Sequence, residues 1–326
     1  MKSRLQTFSF VVVILSLSAI GVILVHTGLM GKRPFAKKTA EFSIGIYTGE
    51  NPFNLASPEN IENPILTAAD VTDRMADYVA DPFMVRKDGM WFMFFEVVNS
   101  RTKQGDIGLA VSKDGFNFVY KQIVLDEPFH LSYPYVFQWK GCYYMIPESQ
   151  AANSVRLYRA KHFPTEWSFV KTLLIGNYKD SSIFRHRDKW WLFAGSDYKH
   201  NDKLCLFYAD NLMGPWLEHP RSPIVEGDPH IARPAGRVIS FGNKIIRFAQ
   251  DDYPEYGNQV RAFEISQLTT TNYREKEFQA SPILKASGSG WNAAGMHHID
   301  AHQIAPGQWI ACVDGYRWTI APRSDK

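Results

Sequence analysis

One short phrase returns five times between residues 81 and 315, and that return leaves few folds open to the chain. Each copy opens on a polar or small residue, alternates apolar residues, turns on a charged or glycine-containing pair, and climbs a second, aromatic-rich strand. The first two copies are Asp81-Pro82-Phe83-Met84-Val85 with Trp91-Phe92-Met93-Phe94-Phe95-Glu96, and Tyr133-Pro134-Tyr135-Val136-Phe137 with Tyr143-Tyr144-Met145-Ile146-Pro147-Glu148. The third is Asp180-Ser181-Ser182-Ile183-Phe184 with Trp190-Trp191-Leu192-Phe193-Ala194-Gly195. Arg233-Pro234-Ala235-Gly236 with Ile245-Ile246-Arg247-Phe248-Ala249-Gln250 is the fourth, and Asp300-Ala301-His302-Gln303-Ile304 with Trp309-Ile310-Ala311-Cys312-Val313-Asp314 the fifth. The copies recur roughly every fifty residues, and short strands at such a period predict radial repetition. The fold class expected is all-β, a five-bladed β-propeller whose opening residues Asp81, Tyr133, Asp180, Arg233 and Asp300 ring one central funnel.

Outer strands recur as well. Ile107-Gly108-Leu109-Ala110-Val111-Ser112 runs into Asp114-Gly115, a hairpin signal. Comparable segments follow the second strand in copies two, three and four, so each of these has four short strands. The fifth copy has too little chain left after Gly315 for a full blade. Ser43-Ile44-Gly45-Ile46-Tyr47 alternates like a strand and is expected to complete that blade, which removes two free sheet edges.

The N-terminus has another character. Residues 8–25 carry no charge, with Lys2 and Arg4 before them and Lys32, Arg33, Lys37 and Lys38 after. Such a run suits a transmembrane helix. A cleaved signal peptide competes, with Ser16-Leu17-Ser18-Ala19 as its small-residue site. The division expected is 1–30 as membrane anchor, 31–42 as stem and 43–326 as propeller, lying on the lumenal or extracytoplasmic side. Aromatic residues make up 14% of the chain, which suits strands, and a net charge of +3 gives no basis for a nucleic-acid polymer as partner. Cys142, Cys205 and Cys312 cannot all pair with one another, and strand positions favour buried thiols.

Several motifs carry a resemblance. Ala80-Asp81-Pro82-Phe83, His130-Leu131-Ser132-Tyr133-Pro134, Met145-Ile146-Pro147-Glu148-Ser149 and Ala232-Arg233-Pro234-Ala235-Gly236-Arg237 are four of them. Gln250-Asp251, Tyr256-Gly257, Trp291-Asn292 and Gly295-Met296-His297-His298-Ile299-Asp300 complete the set. Five blades with an Asp-Pro opening resemble the superfamily of glycoside hydrolase family 43. More closely, the motifs resemble the N-terminal propeller domain of plant glucosamine inositolphosphorylceramide transferases, in which a separate glycosyltransferase domain follows.

Glycosidic chemistry needs one carboxylate to activate or stabilise and one carboxylic acid to protonate the leaving oxygen. The family 43 resemblance implies that Asp81 is the base and Asp180 an orienting acid, and that blade four opens on a glutamic acid. Arg233 stands there instead, a departure that argues against ordinary hydrolysis. Glu148 and Glu96, at matching ends of densely apolar strands, are the substitute acids, since burial raises a carboxyl pKa. Both also have a structural reading, as partners of Arg233 or Arg237. Asp81 has one too, as the cap of a turn before Pro82.

Arg233 offers two-point contact to a carboxylate or phosphate, with Gln250 and Asp251 on the same blade. The other reading is that it neutralises Asp81 and Asp180. In His297-His298-Ile299-Asp300-Ala301-His302, strand alternation puts His298, Asp300 and His302 on one face. His297, His298 and Asp300 are expected sugar contacts with Tyr133, while His298 and His302 are the metal candidates. The resemblance implies a structural cation in the propeller channel. The expectation is a carbohydrate-active protein for glycosyl transfer in glycan or sphingolipid-type glycolipid assembly, catalysed through Asp81, Asp180 and Glu148. Its partners would be a glycan or glycolipid, a nucleotide sugar, and a membrane through residues 8–25. Family 43-like hydrolysis and a non-catalytic glycan-binding module are the alternatives.

Overall fold

A computed structural model describes residues 37–196 and 199–321, and the apolar run at 8–25 lies outside them. Among the described residues no helix is long and apolar enough to cross a membrane. Residues 40–318 form one compact unit. The described ends of a second, smaller unit are extended chain, held by Thr319 Oγ1 donating to the Thr39 carbonyl.

Five antiparallel sheets follow one another along the chain. Blade one is Ala76–Lys87, Met90–Asn99, Gly105–Ser112 and Val119–Leu125, and blade two is Ser132–Trp139, Cys142–Glu148, Ser154–His162 and Glu166–Ile175. Blades three and four begin at Lys179–His186 and Arg233–Pro234 and carry extra short strands, giving five and six strands. Blade five is built from both ends of the chain, in the order Leu55–Ala56, Lys37–Gly49, Gln308–Ala321, Ile299–Ala305. The closing strand expected at 43–47 is therefore present, and it begins at Lys37, inside the segment read as stem.

Local chemistry explains the hairpins. Asp88-Gly89 and Lys140-Gly141 both lie at positive φ, the turn geometry that matches the twist of the flanking strands. The second strand of each blade is apolar on both faces because it packs between neighbours: Met93, Phe94, Phe95 and Val97 are all fully buried. The aromatic pairs fill the core. Trp190 lies edge-on to Trp139 and Tyr143 stacks on Phe163, and Trp190, Trp191, Tyr143 and Tyr144 are all buried. The three thiols are free, with Cys205 and Cys312 buried and Cys142 partly so.

The first strand of blades one, two and three carries the same irregularity. Its register shifts between Ala80 and Phe83, between Ser132 and Tyr135, and between Lys179 and Ser182. The extra residue at each bulge sits in the left-handed region, Asp81 at φ 53, Tyr133 at φ 45 and Asp180 at φ 45. For residues with a Cβ this costs on the order of 1 kcal/mol each. Blades four and five do it differently. Arg233 pairs directly with Gln250, which makes it the counterpart of Ala80, Ser132 and Lys179 rather than of Asp81. Asp300 pairs with Cys312 in a regular ladder, the place that Phe83 takes opposite Phe94. A ring of five equivalent side chains is thus corrected to three bulged residues, one arginine set a position earlier, and one aspartate set deeper.

Candidate functional site

Three linked networks line the channel. In the first, Asp180 Oδ2 accepts from Arg233 Nε at 2.5 Å and from Gln250 Nε2 at 2.8 Å, and the Asp180 N–H donates to Glu148 Oε2 at 3.3 Å. Burial opposes the charge on Asp180, but the Arg233 guanidinium outweighs it and holds the carboxyl below its ordinary value. Glu148 goes the other way: burial and the Asp180 charge push it up to about 8 against the pull of Arg233. Two neighbouring carboxyls thus have opposite protonation at neutral pH, the separation that acid–base sites are built on. Arg233 Nη2 is 3.9 Å from Glu148 Oε2, too far for a hydrogen bond.

The second network surrounds Asp81. Its backbone N–H donates to Asp314 Oδ2 at 2.9 Å, and its Oδ2 accepts from the Tyr133 N–H at 3.3 Å. His297 Nδ1 bonds Asp314 Oδ1 at 2.6 Å, which raises that imidazole to about 9 despite its burial. His298 Nε2 meets the Pro82 carbonyl at 2.9 Å, so it bears the proton and Nδ1 is a bare lone pair. That lone pair is 3.8 Å from Asp81 Oδ1, and both atoms are buried without a partner. Two acceptors facing each other favour a proton on Asp81. Burial and the nearby Asp180 and Glu96 carboxylates push its pKa the same way, with His297 only partly offsetting them.

The third network is closed. Asp300 accepts from Arg237 Nε at 2.6 Å, the Met84 N–H at 2.6 Å and His302 Nε2 at 2.9 Å. Burial opposes its charge, yet Arg237 and His302 hold it well below the usual carboxylate range. Fully buried and with both oxygens occupied, Asp300 pins blade one to blades four and five and has no contact left for a sugar. The metal candidates separate for the same reason, His302 lying with Asp300 and His298 with Asp81. Asp251 is also saturated, by His230, Gln259 and Arg261, so the expected substrate contact there is a structural hub. Glu96 takes the structural role open to it through His130 rather than through an arginine, with His130 Nε2 at 3.2 Å from Oε1. Tyr133 is buried, its hydroxyl bonded to Ser182 Oγ and the Gly236 carbonyl.

A cation is better placed elsewhere. Donor atoms of Asp81, His297 and Asp314 lie within 4.8 Å of one another, and the unpartnered Asp81 Oδ1 completes a nitrogen-and-oxygen set of the kind that holds a divalent metal ion. Such an ion would replace the His297 proton as counter-charge.

The first network opens onto a cavity of about 660 Å³ lined by His130, Glu148, Asn153, Asn177, Lys179 and Arg233. A second cavity, of about 630 Å³ by Asp73, Arg74 and Arg101, shares none of these residues.

Residues 36–316 match the family described as glucosamine inositolphosphorylceramide transferase 1, N-terminal. The chain belongs to this family. It is 37% identical over 297 residues to the glucosamine inositolphosphorylceramide transferase 1 of Oryza sativa subsp. japonica, covering 85% of this chain and 40% of the relative. The protein of that name from Arabidopsis thaliana is 36% identical over 302 residues, covering 85% and 39%. This chain therefore spans about two fifths of the length of the curated relatives it matches. Among solved structures it is similar to the catalytic domain of a family 62 alpha-L-arabinofuranosidase from Coprinopsis cinerea, with TM-score 0.56, 11% identity, and 74% and 92% of the two chains covered. A glycosyl hydrolase from Bacteroides ovatus gives TM-score 0.59 at 10% identity over 82% and 94%. Likeness at that identity shows the propeller fold alone.

In this propeller, further polar residues stand beside the ones that the repeat singles out. Asp314 is the fifth-copy counterpart of Glu96 and Glu148, so the five-fold alignment holds the signal for it. Lys179 precedes a bulge residue, as Ala80 and Ser132 do. Asp252, one position past Asp251, has a buried oxygen without a partner and a carboxyl raised by burial. Tyr256 is 42% exposed, with the Arg233 guanidinium 4.9 Å from its ring centre. Neither Asp252 nor Tyr256 follows the five-fold phrase.

Proposed function

We propose that the chain serves glycosyl transfer in sphingolipid-type glycolipid assembly, and that the cavity beside Glu148 receives the polar headgroup of the glycolipid. The observation that carries this reading is the pair formed by Glu148, protonated at neutral pH, and Asp180, kept ionised by Arg233. Glu148 supplies an O–H to an oxygen of the bound headgroup, while Asp180 fixes the guanidinium that faces it. Tyr256 offers an exposed ring for a sugar face. A divalent cation, when bound by Asp81, His297 and Asp314, would neutralise the Asp81 carboxylate. The names of the relatives support the substrate class, and the reading adds a nucleotide sugar as donor. The reading includes a membrane anchor over 1–30 and a lumenal or extracytoplasmic propeller, with the stem read at 31–42 cut short by the blade-five strand that begins at Lys37.

A second reading, a glycan-recognition module without turnover, is favoured by Asp81. That carboxyl is only 5% exposed and raised in pKa, so it is not an open, ionised base. The test is transfer by the full chain in detergent micelles, with inositolphosphorylceramide as acceptor and nucleotide-activated glucosamine as donor. Turnover that Glu148→Gln abolishes while acceptor binding survives supports a catalytic propeller. Binding without turnover supports the module, and absence of both refutes the proposal.

A further inference from the structure

Blades three and four are also joined away from the channel, by one buried histidine. His219 Nδ1 accepts from the Arg221 N–H at 3.1 Å, and its Nε2 donates to the Thr269 carbonyl at 2.9 Å. Thr269 in turn fixes the residues after it: its Oγ1 accepts from the Asn272 N–H at 2.9 Å, and its own N–H donates to the Asn272 carbonyl at 3.0 Å. The loop after Leu217–Glu218 is thereby held against the turn before Tyr273–Glu277, and these are outer strands of their two blades.

A cavity of about 340 Å³ lies there, lined by Arg221, Ile224, Asn272, Tyr273 and Arg274. Two guanidiniums line it and no acidic side chain does. Among the described residues no carboxylate pairs with Arg221 or Arg274, and neither side chain makes a hydrogen bond or a ring contact. Glu275, the acid next to Arg274, is occupied elsewhere. Arg247 Nε and Nη2 donate to its two oxygens at 2.8 and 2.6 Å, and the Tyr273 hydroxyl adds a bond at 2.6 Å. Asn272 Nδ2 uses one N–H on Thr271 Oγ1 at 3.1 Å, which leaves the other. Two like charges on one concave surface favour an anion between them. A carboxylate fills one planar guanidinium edge, whereas a phosphate has oxygens enough for two.

We propose that this cavity is a phosphate-ester site on the outer edge of the propeller, in which Arg221, Arg274 and the Asn272 amide bind the phosphate. Ile224 and Tyr273 supply the wall for the organic part of the ester. The site shares no residue with the channel networks, so it stands or falls independently of the proposed function. The ester is either a lipid headgroup or a soluble metabolite, and the two differ in whether a bilayer presents it.

The experiment is calorimetric titration of the full chain in detergent micelles with glycerol 3-phosphate, glycerol and glycerate. The phosphate ester should bind at least about tenfold more tightly than either of the others, the effect of one charge-assisted contact or more. Arg221→Gln and Arg274→Gln should each remove about tenfold of that affinity and the double variant all of the preference. Thermal melting should be unchanged, because both side chains are exposed and unpaired. Repeating the titration in phosphatidylcholine nanodiscs with and without phosphatidic acid separates the sources. Loss of glycerol 3-phosphate binding when phosphatidic acid is present assigns the site to a lipid headgroup, and unchanged binding assigns it to a soluble ester. Equal affinity for glycerol and its phosphate overturns the inference, as does glycerate binding as tightly as the phosphate. A phosphate preference that survives in the folded double variant overturns it too.

Discussion

Arg233 Nε and Asp180 Oδ2 lie 2.5 Å apart, so the first residue of blade four is the counter-ion of the bulge residue of blade three. Asp180 is 1% exposed, and an unpaired carboxylate at that depth is costly. One guanidinium thus does two things: its Nε edge stabilises the blade junction, and its outer nitrogens face the cavity.

Arg233→Met should destabilise the fold by about 3–5 kcal/mol, the cost of leaving one member of a buried pair without its partner. Adding Asp180→Asn should recover much of that loss, because the carboxamide needs no counter-charge. Urea denaturation of both variants checks this. Near-additive losses would show that the two residues are not a pair.

The repeat makes the blade count, the closing strand and most of the polar ring legible, because strand alternation and turn chemistry act locally. It places Arg233 and Asp300 less well. Aligning the copies on their opening residues gives every first strand the same register, whereas the chain bulges only at Asp81, Tyr133 and Asp180. An inserted residue shifts every later side chain to the other face. Which copies hold it depends on contacts between blades, such as Asp314 with the Asp81 N–H, that a local pattern does not contain. The roles of Asp251 and Asp252 are out of reach for a related reason: they are adjacent acids at one strand end, yet Asp251 is held by His230 and by Gln259 and Arg261 of the next strand while Asp252 accepts from the Gly257 N–H.

Glu148 makes stability depend on pH with a definite sign. Its carboxyl is raised from 4.5 to about 8, so the folded state holds a proton that the unfolded chain releases. Stability from this group is full below about pH 4.5 and declines as pH rises toward 8, each tenfold difference in proton affinity between the two states being worth at most ~1.4 kcal/mol. Glu148→Gln should flatten that portion and be more stable than the parent above pH 8. Urea midpoints of the two proteins between pH 5 and 9 measure the difference. Parallel profiles would show that Glu148 is not raised.

Gly236 lies at φ 140 and bridges to Ile299, and a Cβ there would sit 1.7 Å from the Ile299 carbonyl oxygen. No side chain fits without moving the backbone that joins blade four to blade five. Gly236→Ala should therefore cost more than ~3 kcal/mol and lower the yield of folded protein, whereas Gly89→Ala, with no atom within 4 Å, should cost only its turn strain. Thermal melting of the pair distinguishes close approach from a general need for glycine.

Asp314 holds both the Asp81 backbone and the His297 ring, so Asp314→Asn tests the second network at one point. The imidazole is raised from 6.5 to about 9. Its stabilising contribution is full below about pH 6.5 and is lost as pH rises through 9. An asparagine keeps an acceptor for the Asp81 N–H but leaves the buried His297 without its anion, so burial should pull the ring below its ordinary value and a cost of about 3 kcal/mol should appear near neutral pH. Tryptophan fluorescence in urea from pH 6 to 10 reads both effects. The parent should weaken above pH 8 while the variant is already weak and nearly flat there. A variant as stable as the parent at pH 7 would mean that the carboxylate of Asp314 is not what keeps His297 charged.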